Sequence, residues 1–119
     1  MRNPREISES YWDAECRRDI DGVMAHYHDD GTYEGPDGRR AGHDAIRAGY
    51  EEHFRLFPRL EVEIVQEFAR GDSSAIEFDA VMTDLGGKRY RVRGVNVVEV
   101  RDNKFVSVRS YEDPPIATG

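Results

Sequence analysis

Cysteine and long apolar runs are nearly absent from this chain. Among its 119 residues only Cys16 is a cysteine, which excludes disulfides within the chain as a source of stability. No apolar stretch approaches the roughly 20 residues that a membrane helix needs, and the opening sequence MRNPREISES has no apolar segment typical of a secretory signal. We therefore expect a soluble protein of the cytoplasm.

Basic residues are outnumbered by acidic ones, 17 to 24. The net charge is −7, which argues against a broad nucleic-acid or anionic-membrane surface. The sequence has no phosphate-binding loop, no glycine-rich dinucleotide fingerprint and no nucleophile elbow. His26 and His28 resemble a metal pair, but two positions apart on a helix they would diverge by about 200°. We therefore predict no cofactor, no metal, no nucleic acid and no membrane partner.

The first half of the chain carries three helical patterns. One helix is predicted over 7–18, from an apolar stripe that includes Tyr11. A second is predicted over 19–30, within the stretch DIDGVMAHYHDDGTYEGPDG, with Tyr27 on its buried stripe and a glycine as its stop. A third is predicted between Gly42 and the proline at position 58.

The second half of the chain changes to strand periodicity. Apolar and polar residues alternate over 60–64, 75–83, 88–100 and 105–111, with turn residues between these segments. Helices followed by strands predict an α+β domain, in which three N-terminal helices pack on one face of a curved antiparallel sheet. One domain over residues 1–119 is expected, with a loose proline-rich tail from about 114.

The strand over 75–83 has two contrasting sides. One side carries Glu77 and Asp79, and the other carries apolar residues that include Phe78 and Met82. In one interpretation the apolar side packs under the helices and the carboxylates face water. In the other the carboxylates line a cavity between helices and sheet, and the apolar side meets a second subunit. The pattern alone leaves both interpretations open.

The last strand adds a possible pair of charges to the polar face. Arg109 and Asp113 fall on the same side of the strand over 105–111. An arginine favours the ionised form of a nearby carboxyl group, whereas burial favours the neutral form, and a pocket can use both effects to place a pKa near the working pH. A surface ion pair of small energetic value is the alternative.

Three helices followed by a curved antiparallel sheet, with the stretch DIDGVMAHYHDDGTYEGPDG near the start, resemble the nuclear transport factor 2-like superfamily, and within it ketosteroid isomerase and the SnoaL-like polyketide cyclases. The resemblance implies a cystatin-like fold in which the sheet forms a cone. It also implies a small apolar ligand in the cone cavity and a homodimer formed through the sheet.

Individual site residues follow from this resemblance. Tyr11 matches the tyrosine of the oxyanion hole, and Tyr27 and Tyr50 match tyrosines that are hydrogen-bonded behind it in some members. Asn96, in RGVNVVEV, falls where ketosteroid isomerase has a protonated aspartate. An amide donates a hydrogen bond at any pH, so Asn96 is suited to the same task. Gly35 falls where the family has its base, and a glycine cannot carry a proton.

Other branches of the superfamily suggest where a base would come from. An ending such as VRSYEDP and a strand aspartate resemble limonene epoxide hydrolase and the cyclases, which implies catalytic roles for Asp79 and Asp113, tuned by Arg109 and Glu77. The apolar walls of the pocket are expected from Trp12, Met24, Phe54 and Phe57.

The leading hypothesis is therefore a cofactor-free enzyme acting on a small apolar carbonyl compound, as isomerase, cyclase or dehydratase. Proton abstraction beside the carbonyl would produce an enolate, whose oxygen would be held by Tyr11 and Asn96. Two alternatives stay open: a non-catalytic ligand-binding or dimerisation module of the same fold, and a purely structural network of tyrosines.

Overall fold

The computed structural model describes residues 2–118, in which three helices pack on one face of a seven-stranded sheet. The elements are α1 (Pro4–Cys16), α2 (Ile20–Met24), β1 (Tyr27–Gly35), β2 (Gly38–Ala41), α3 (His43–Leu56), β3 (Arg59–Arg70), β4 (Ser73–Thr83), β5 (Arg89–Arg101), β6 (Lys104–Glu112) and β7 (Ile116–Thr118). The α+β class and the three N-terminal helices are confirmed. Within the described residues, no helix is both long enough and apolar enough to span a bilayer.

Helix α1 begins earlier than the apolar stripe indicated. The side chain of Asn3 accepts from the backbone N–H of Glu6, and the Glu6 carboxylate accepts from the backbone N–H of Asn3. This reciprocal capping box, followed by Pro4 in the first turn, fixes the start of the helix. The inner side of α1 presents Tyr11 and Glu15 to the sheet, and both are buried.

The prediction of a long second helix was wrong. Helix α2 ends at Met24, and Tyr27 is the first residue of strand β1. The backbone N–H of Phe105 donates to the carbonyl of His26, and β1 then runs parallel to β6. A helix of this length gains little stability by itself, so the backbone pairing with distant β6 overrides the local helical pattern.

The third helix and the four long strands confirm their predicted positions. Strands β3 to β6 form consecutive antiparallel pairs, and the full order across the sheet is β2-β1-β6-β5-β4-β3. The sheet is nevertheless mixed, because β1 and β6 are parallel. The tail expected to be loose forms β7 instead, in which Ile116–Thr118 pairs with the start of β5.

The structure decides between the two interpretations of β4. Ile76, Phe78 and Ala80 are buried under the helices, which defines the inner face of the sheet. Glu77 and Asp79 lie on the opposite, outer face. The apolar side chains of β4 therefore form the core of the subunit itself and need no second subunit to cover them.

Candidate functional site

Three tyrosines from different elements meet at the centre of the inner face. The hydroxyl oxygens of Tyr11 and Tyr50 are 2.5 Å apart, and those of Tyr27 and Tyr50 are 2.8 Å apart. Tyr50 is thus the hydrogen-bond partner that a buried Tyr27 requires. We call these residues the tyrosine triad. Burial raises the pKa of all three phenols well above the ordinary value, so each is a neutral hydroxyl able to donate.

Aromatic packing holds the triad in place. The ring of Phe105 lies 5.4 Å from the rings of both Tyr11 and Tyr27, in edge-to-face arrangements. Trp12 packs at the edge of Tyr11 and touches Phe78 on β4. Two of the expected wall residues, Trp12 and Met24, are buried here, and Phe54 packs partly buried against the same core. The phenols therefore have little freedom to turn away from the interior.

Asn96 lies on β5 in the same interior. Its side chain is buried, between Ile76 on β4 and Ser110 on β6, and its Oδ1 atom has no hydrogen-bond partner. Leaving a buried amide oxygen unpaired costs about 1–3 kcal/mol. Such an atom in a native interior calls for an explanation, and a polar ligand is one.

Glu15 is the main feature that the sequence analysis missed. It lies one helical turn after Tyr11 and is only 7% exposed. Burial raises the pKa of its carboxyl group to about 7, while the Arg18 guanidinium and the Tyr11 hydroxyl act in the opposite direction. The spacing of four residues from Tyr11, on a buried helical stripe, was the sequence signal that would have identified it.

Arg18 stands near Glu15 without forming an ion pair with it. Its guanidinium donates to the backbone carbonyl oxygens of Phe57, at 2.7 and 3.0 Å, and of Glu15, at 3.1 Å. It also lies 4.5 Å above the ring of Phe54. Within residues 2–118, no basic side chain lies within 4.0 Å of the Glu15 carboxylate.

The side chain of Tyr33 occupies the space beside Gly35, the position at which the resemblance implied a base. A Cβ atom added at Gly35 would lie 2.8 Å from the Tyr33 hydroxyl, so the Tyr33 side chain fills the space of a side chain at 35. Burial raises the pKa of Tyr33, and the nearby Glu112 carboxylate adds to this effect. A neutral phenol therefore lies beside Gly35, and it is not itself a base near neutral pH.

Further polar groups lie near the ends of α3 and β6. Ser110 donates to the Glu112 carboxylate at 2.8 Å, and partial burial raises the pKa of Glu112. Phe57, expected as a wall, caps α3 and packs 5.2 Å from the ring of His53. Burial lowers the pKa of His53 to about 4, with the nearby Arg18 acting in the same direction. His53 is therefore a neutral imidazole at physiological pH.

Asp79 and Glu77 do not face this interior, which corrects the expectation that they line the cavity. Asp79 accepts two hydrogen bonds from the Arg91 guanidinium on the outer face, at 2.5 and 3.0 Å. This pairing lowers the pKa of Asp79. Glu77 accepts a hydrogen bond from Gln66 on the same face. Side chains alternate between the two faces of β4, so those of Glu77 and Asp79 point away from the tyrosine triad.

Asp113 and Arg109 are also separated from the interior. The Asp113 carboxylate is 3.6 Å from the Arg93 guanidinium, and both side chains are largely exposed. Arg109 lines a groove of about 460 Å³ on the outer face. The expected tuning of Asp79 by Arg109 is replaced by separate surface pairs with Arg91 and Arg93.

A second groove, of about 420 Å³, lies between α1 and β3 and includes Trp12 and Cys16. Neither of these two grooves is lined by Tyr11 or Asn96. Within residues 2–118, no three His, Cys, Asp or Glu side chains converge as a metal-binding group.

The family follows from a comparison with known domains. The model of the SnoaL-like domain matches residues 8–108 of this chain. This chain belongs to the SnoaL-like domain family. A protein with a ketosteroid isomerase-like fold from Catenulispora acidiphila, solved in complex with trimethylamine, superposes on this SnoaL-like domain with a TM-score of 0.81 at 19% identity, covering 92% of this chain and 86% of the other. The resemblance of fold that the sequence indicated is confirmed.

Two further relatives of this SnoaL-like domain differ in kind. An LEH-like epoxide hydrolase from Mycobacterium tuberculosis has a TM-score of 0.79 at 25% identity, covering 91% of this chain and 80% of the other. Pre-mRNA-processing protein 45 of Aspergillus fumigatus is 27% identical over 115 residues, which is 96% of this chain. The chain spans only 18% of the length of that curated relative.

Proposed function

We propose that this SnoaL-like domain is a cofactor-free enzyme acting on a small apolar carbonyl compound, as an isomerase, cyclase or dehydratase. The observation that carries the proposal is the tyrosine triad, a buried hydrogen-bonded relay that ends at Tyr11, with Asn96 also buried on the inner face of the sheet. Fixed donors in a water-poor interior are the arrangement that stabilises charge developing on a carbonyl oxygen.

The chemistry would proceed through an enolate. Removal of a proton from the carbon beside the carbonyl leaves negative charge on the oxygen, and Tyr11 and Asn96 would donate hydrogen bonds to it. Tyr27 donates to Tyr50 and Tyr50 to Tyr11 in this scheme, so each bond polarises the next. Trp12 and Phe54 would supply apolar contacts to the substrate.

A non-catalytic ligand-binding module is the second candidate, and Gly35 favours it. Tyr33 fills the space beside Gly35, so the usual base is missing at that position. For either function we also propose a homodimer formed through the outer face of the sheet, where Phe68 is 69% exposed.

Titration with 2-naphthol tests the proposed oxyanion hole, because its oxygen imitates that of an enolate. Tyr11→Phe and Asn96→Ala are each expected to weaken binding by about 1.5 to 3 kcal/mol, the range of a hydrogen bond to a charged group. Tyr111→Phe is the matched control, since Tyr111 is 56% exposed on the outer face. Equal binding by all variants would refute the hole and leave a resemblance of fold alone.

A further inference from the structure

An enzyme of the proposed kind needs a proton acceptor within the interior, and the positions expected to supply one do not. Asp79 and Asp113 are on the outer face, held by Arg91 and Arg93. Gly35 has no side chain. The acceptor has to be sought among the groups that face the tyrosine triad.

Glu15 is the carboxyl group that the fold places against the triad. It follows Tyr11 by one turn on the inner side of α1 and is only 7% exposed, so its carboxyl group lies on the same buried side of the helix as the Tyr11 phenol. Arg18 lies close by, but its guanidinium donates to backbone carbonyls. The carboxylate therefore keeps lone pairs that no cation occupies.

The groups that face Glu15 come from four parts of the fold. They are Tyr11, Cys16 and Arg18 around α1, Tyr27 and Tyr33 on β1, Tyr50 on α3, and Glu112 on β6. The phenols are neutral, Glu112 disfavours a second negative charge, and Arg18 favours it. Burial dominates this balance and brings the pKa of Glu15 to about 7, a suitable value for a general base in neutral solution.

We propose that Glu15 is the base of this site, the residue that takes the proton from the carbon beside the substrate carbonyl. The proposal rests on the proposed function. The carboxylate of Glu15 forms the new O–H bond, the electrons of the broken C–H bond form a C=C bond, and the carbonyl π electrons move to the oxygen. In an isomerisation the neutral Glu15 then returns the proton to another carbon, which regenerates the carboxylate.

The charge on Glu15 links the two halves of this step. Proton uptake removes the negative charge of Glu15 when negative charge appears on the substrate oxygen. The interior therefore holds one negative charge before and after the step, which favours the enolate bound to Tyr11 and Asn96.

The ionisation state of bound 2-naphthol tests this assignment, because naphthol and naphtholate differ in absorption and fluorescence. After proton transfer the base is neutral, so the anionic ligand is expected beside a neutral group at position 15. At pH 8 Glu15 is largely ionised, because its pKa is about 7. Glu15→Gln carries a neutral group at every pH, so its ratio of bound naphtholate to bound naphthol at pH 8 should be about tenfold higher than that of the wild type.

Two controls separate the proposal from simpler explanations. Glu9→Gln makes the same chemical change on the solvent side of α1, where Glu9 is half-exposed, and should leave the naphtholate signal unchanged. The unmutated protein supplies a check that does not depend on the folding of a variant. Its ratio of bound naphtholate to bound naphthol should stay nearly constant between pH 8 and pH 7, because Glu15 takes up the proton that the ligand loses, and should fall below pH 7, where Glu15 is already protonated.

The outcomes are distinguishable from failure of the proposed function. If binding requires Tyr11 but the naphtholate ratio at pH 8 is the same in Glu15→Gln as in the wild type, or rises in Glu112→Gln instead, Glu15 is not the base while the oxyanion hole stands. If the ratio in the wild type falls steadily over the whole range from pH 8 to pH 6, Glu15 is again excluded. If binding does not depend on Tyr11 at all, the proposed function fails and this assignment fails with it.

Discussion

The inner and outer faces of the sheet hold carboxyl groups in opposite states. Glu15, on the inner side, is buried without an ion-pair partner, and its pKa is raised to about 7. Asp79, on the outer side, accepts two hydrogen bonds from the Arg91 guanidinium, which lower its pKa. The same functional group is therefore a proton acceptor near neutral pH on one face and a fixed anion on the other.

The contrast shows that the environment of a carboxyl group decides its chemistry. Desolvation penalises the charged form, whereas a bidentate guanidinium stabilises it. If catalytic residues were sought where charged side chains are most numerous, the outer face would be chosen. The inner face has few charges, but Glu15 is shielded from water, and there a single proton transfer changes the local field substantially.

The largest expected difference between the faces concerns packing. Phe105→Ala, on the inner face, should lower the free energy of unfolding by about 3 to 5 kcal/mol, the usual cost of removing a buried phenyl ring. Phe105 is 1% exposed and touches two rings of the tyrosine triad. Denaturant unfolding measures this loss.

Phe68→Ala is the control for that experiment on the outer face. Phe68 is 69% exposed, so its truncation should change stability by no more than about 0.5 kcal/mol in the monomer. The measurement is made at a protein concentration at which the chain is monomeric, because the proposed homodimer would bury Phe68. A loss comparable to that of Phe105→Ala under these conditions would break the comparison.

A smaller effect of opposite sign is expected from Glu15→Gln. The folded-state pKa of about 7 lies above the ordinary value of 4.5, so the folded protein holds this proton more strongly than the unfolded chain does. The stability it contributes is fully present below about pH 4.5 and is lost as the pH rises to about 7. The neutral amide avoids this loss and should stabilise the protein by about 3 kcal/mol at pH 8.

The measurement is denaturant unfolding at pH 4.5 and pH 8 for the wild type and Glu15→Gln. The gain should be present at pH 8 and nearly absent at pH 4.5. Glu9→Gln, half-exposed on the same helix, should show no such difference. A gain independent of pH would mean that Glu15 is already neutral at pH 8, or that hydrogen bonding rather than ionisation controls its stability.

Much of this fold was predictable because its signals are local. Helix α3 lies between a glycine and a proline, and the hairpins that join β3 to β6 have turn residues at their tips. Strand β1 was missed because it is held by β6, which follows it by about seventy residues in the sequence. The spacing of apolar residues before and at the start of β1 fits a helix as well as a strand. Only the pairing with β6 excludes the helix.

The positions of site residues were predictable where the residue type and the sequence pattern allow only a buried side chain. The tyrosine triad and Asn96 are large or amide side chains on apolar stripes: the three tyrosines meet in the interior, and Asn96 is buried on β5. Asp79 was misplaced because strand alternation separates two faces without saying which one the helices cover. Glu15 was missed because a glutamate on a helix is usually solvated, and its burial arises from tertiary packing that the sequence does not show.

Asp79→Asn should have the smallest effect, although this residue forms the best hydrogen-bonded ion pair on the sheet. The pair is solvent-exposed, so water and salt screen it and the ordering of two side chains offsets much of its attraction. We therefore expect the unfolding midpoint and the affinity for 2-naphthol to match the wild type, whereas Glu15→Gln changes both stability and ligand ionisation. Loss of naphthol binding in Asp79→Asn would contradict the assignment of chemistry to the inner face, because no path of described contacts joins Asp79 to the tyrosine triad. Repeating the midpoint measurement at low salt sharpens the comparison: weaker screening should reveal a small deficit in Asp79→Asn, while the stability gain from Glu15→Gln, which arises in the dry interior, should change little.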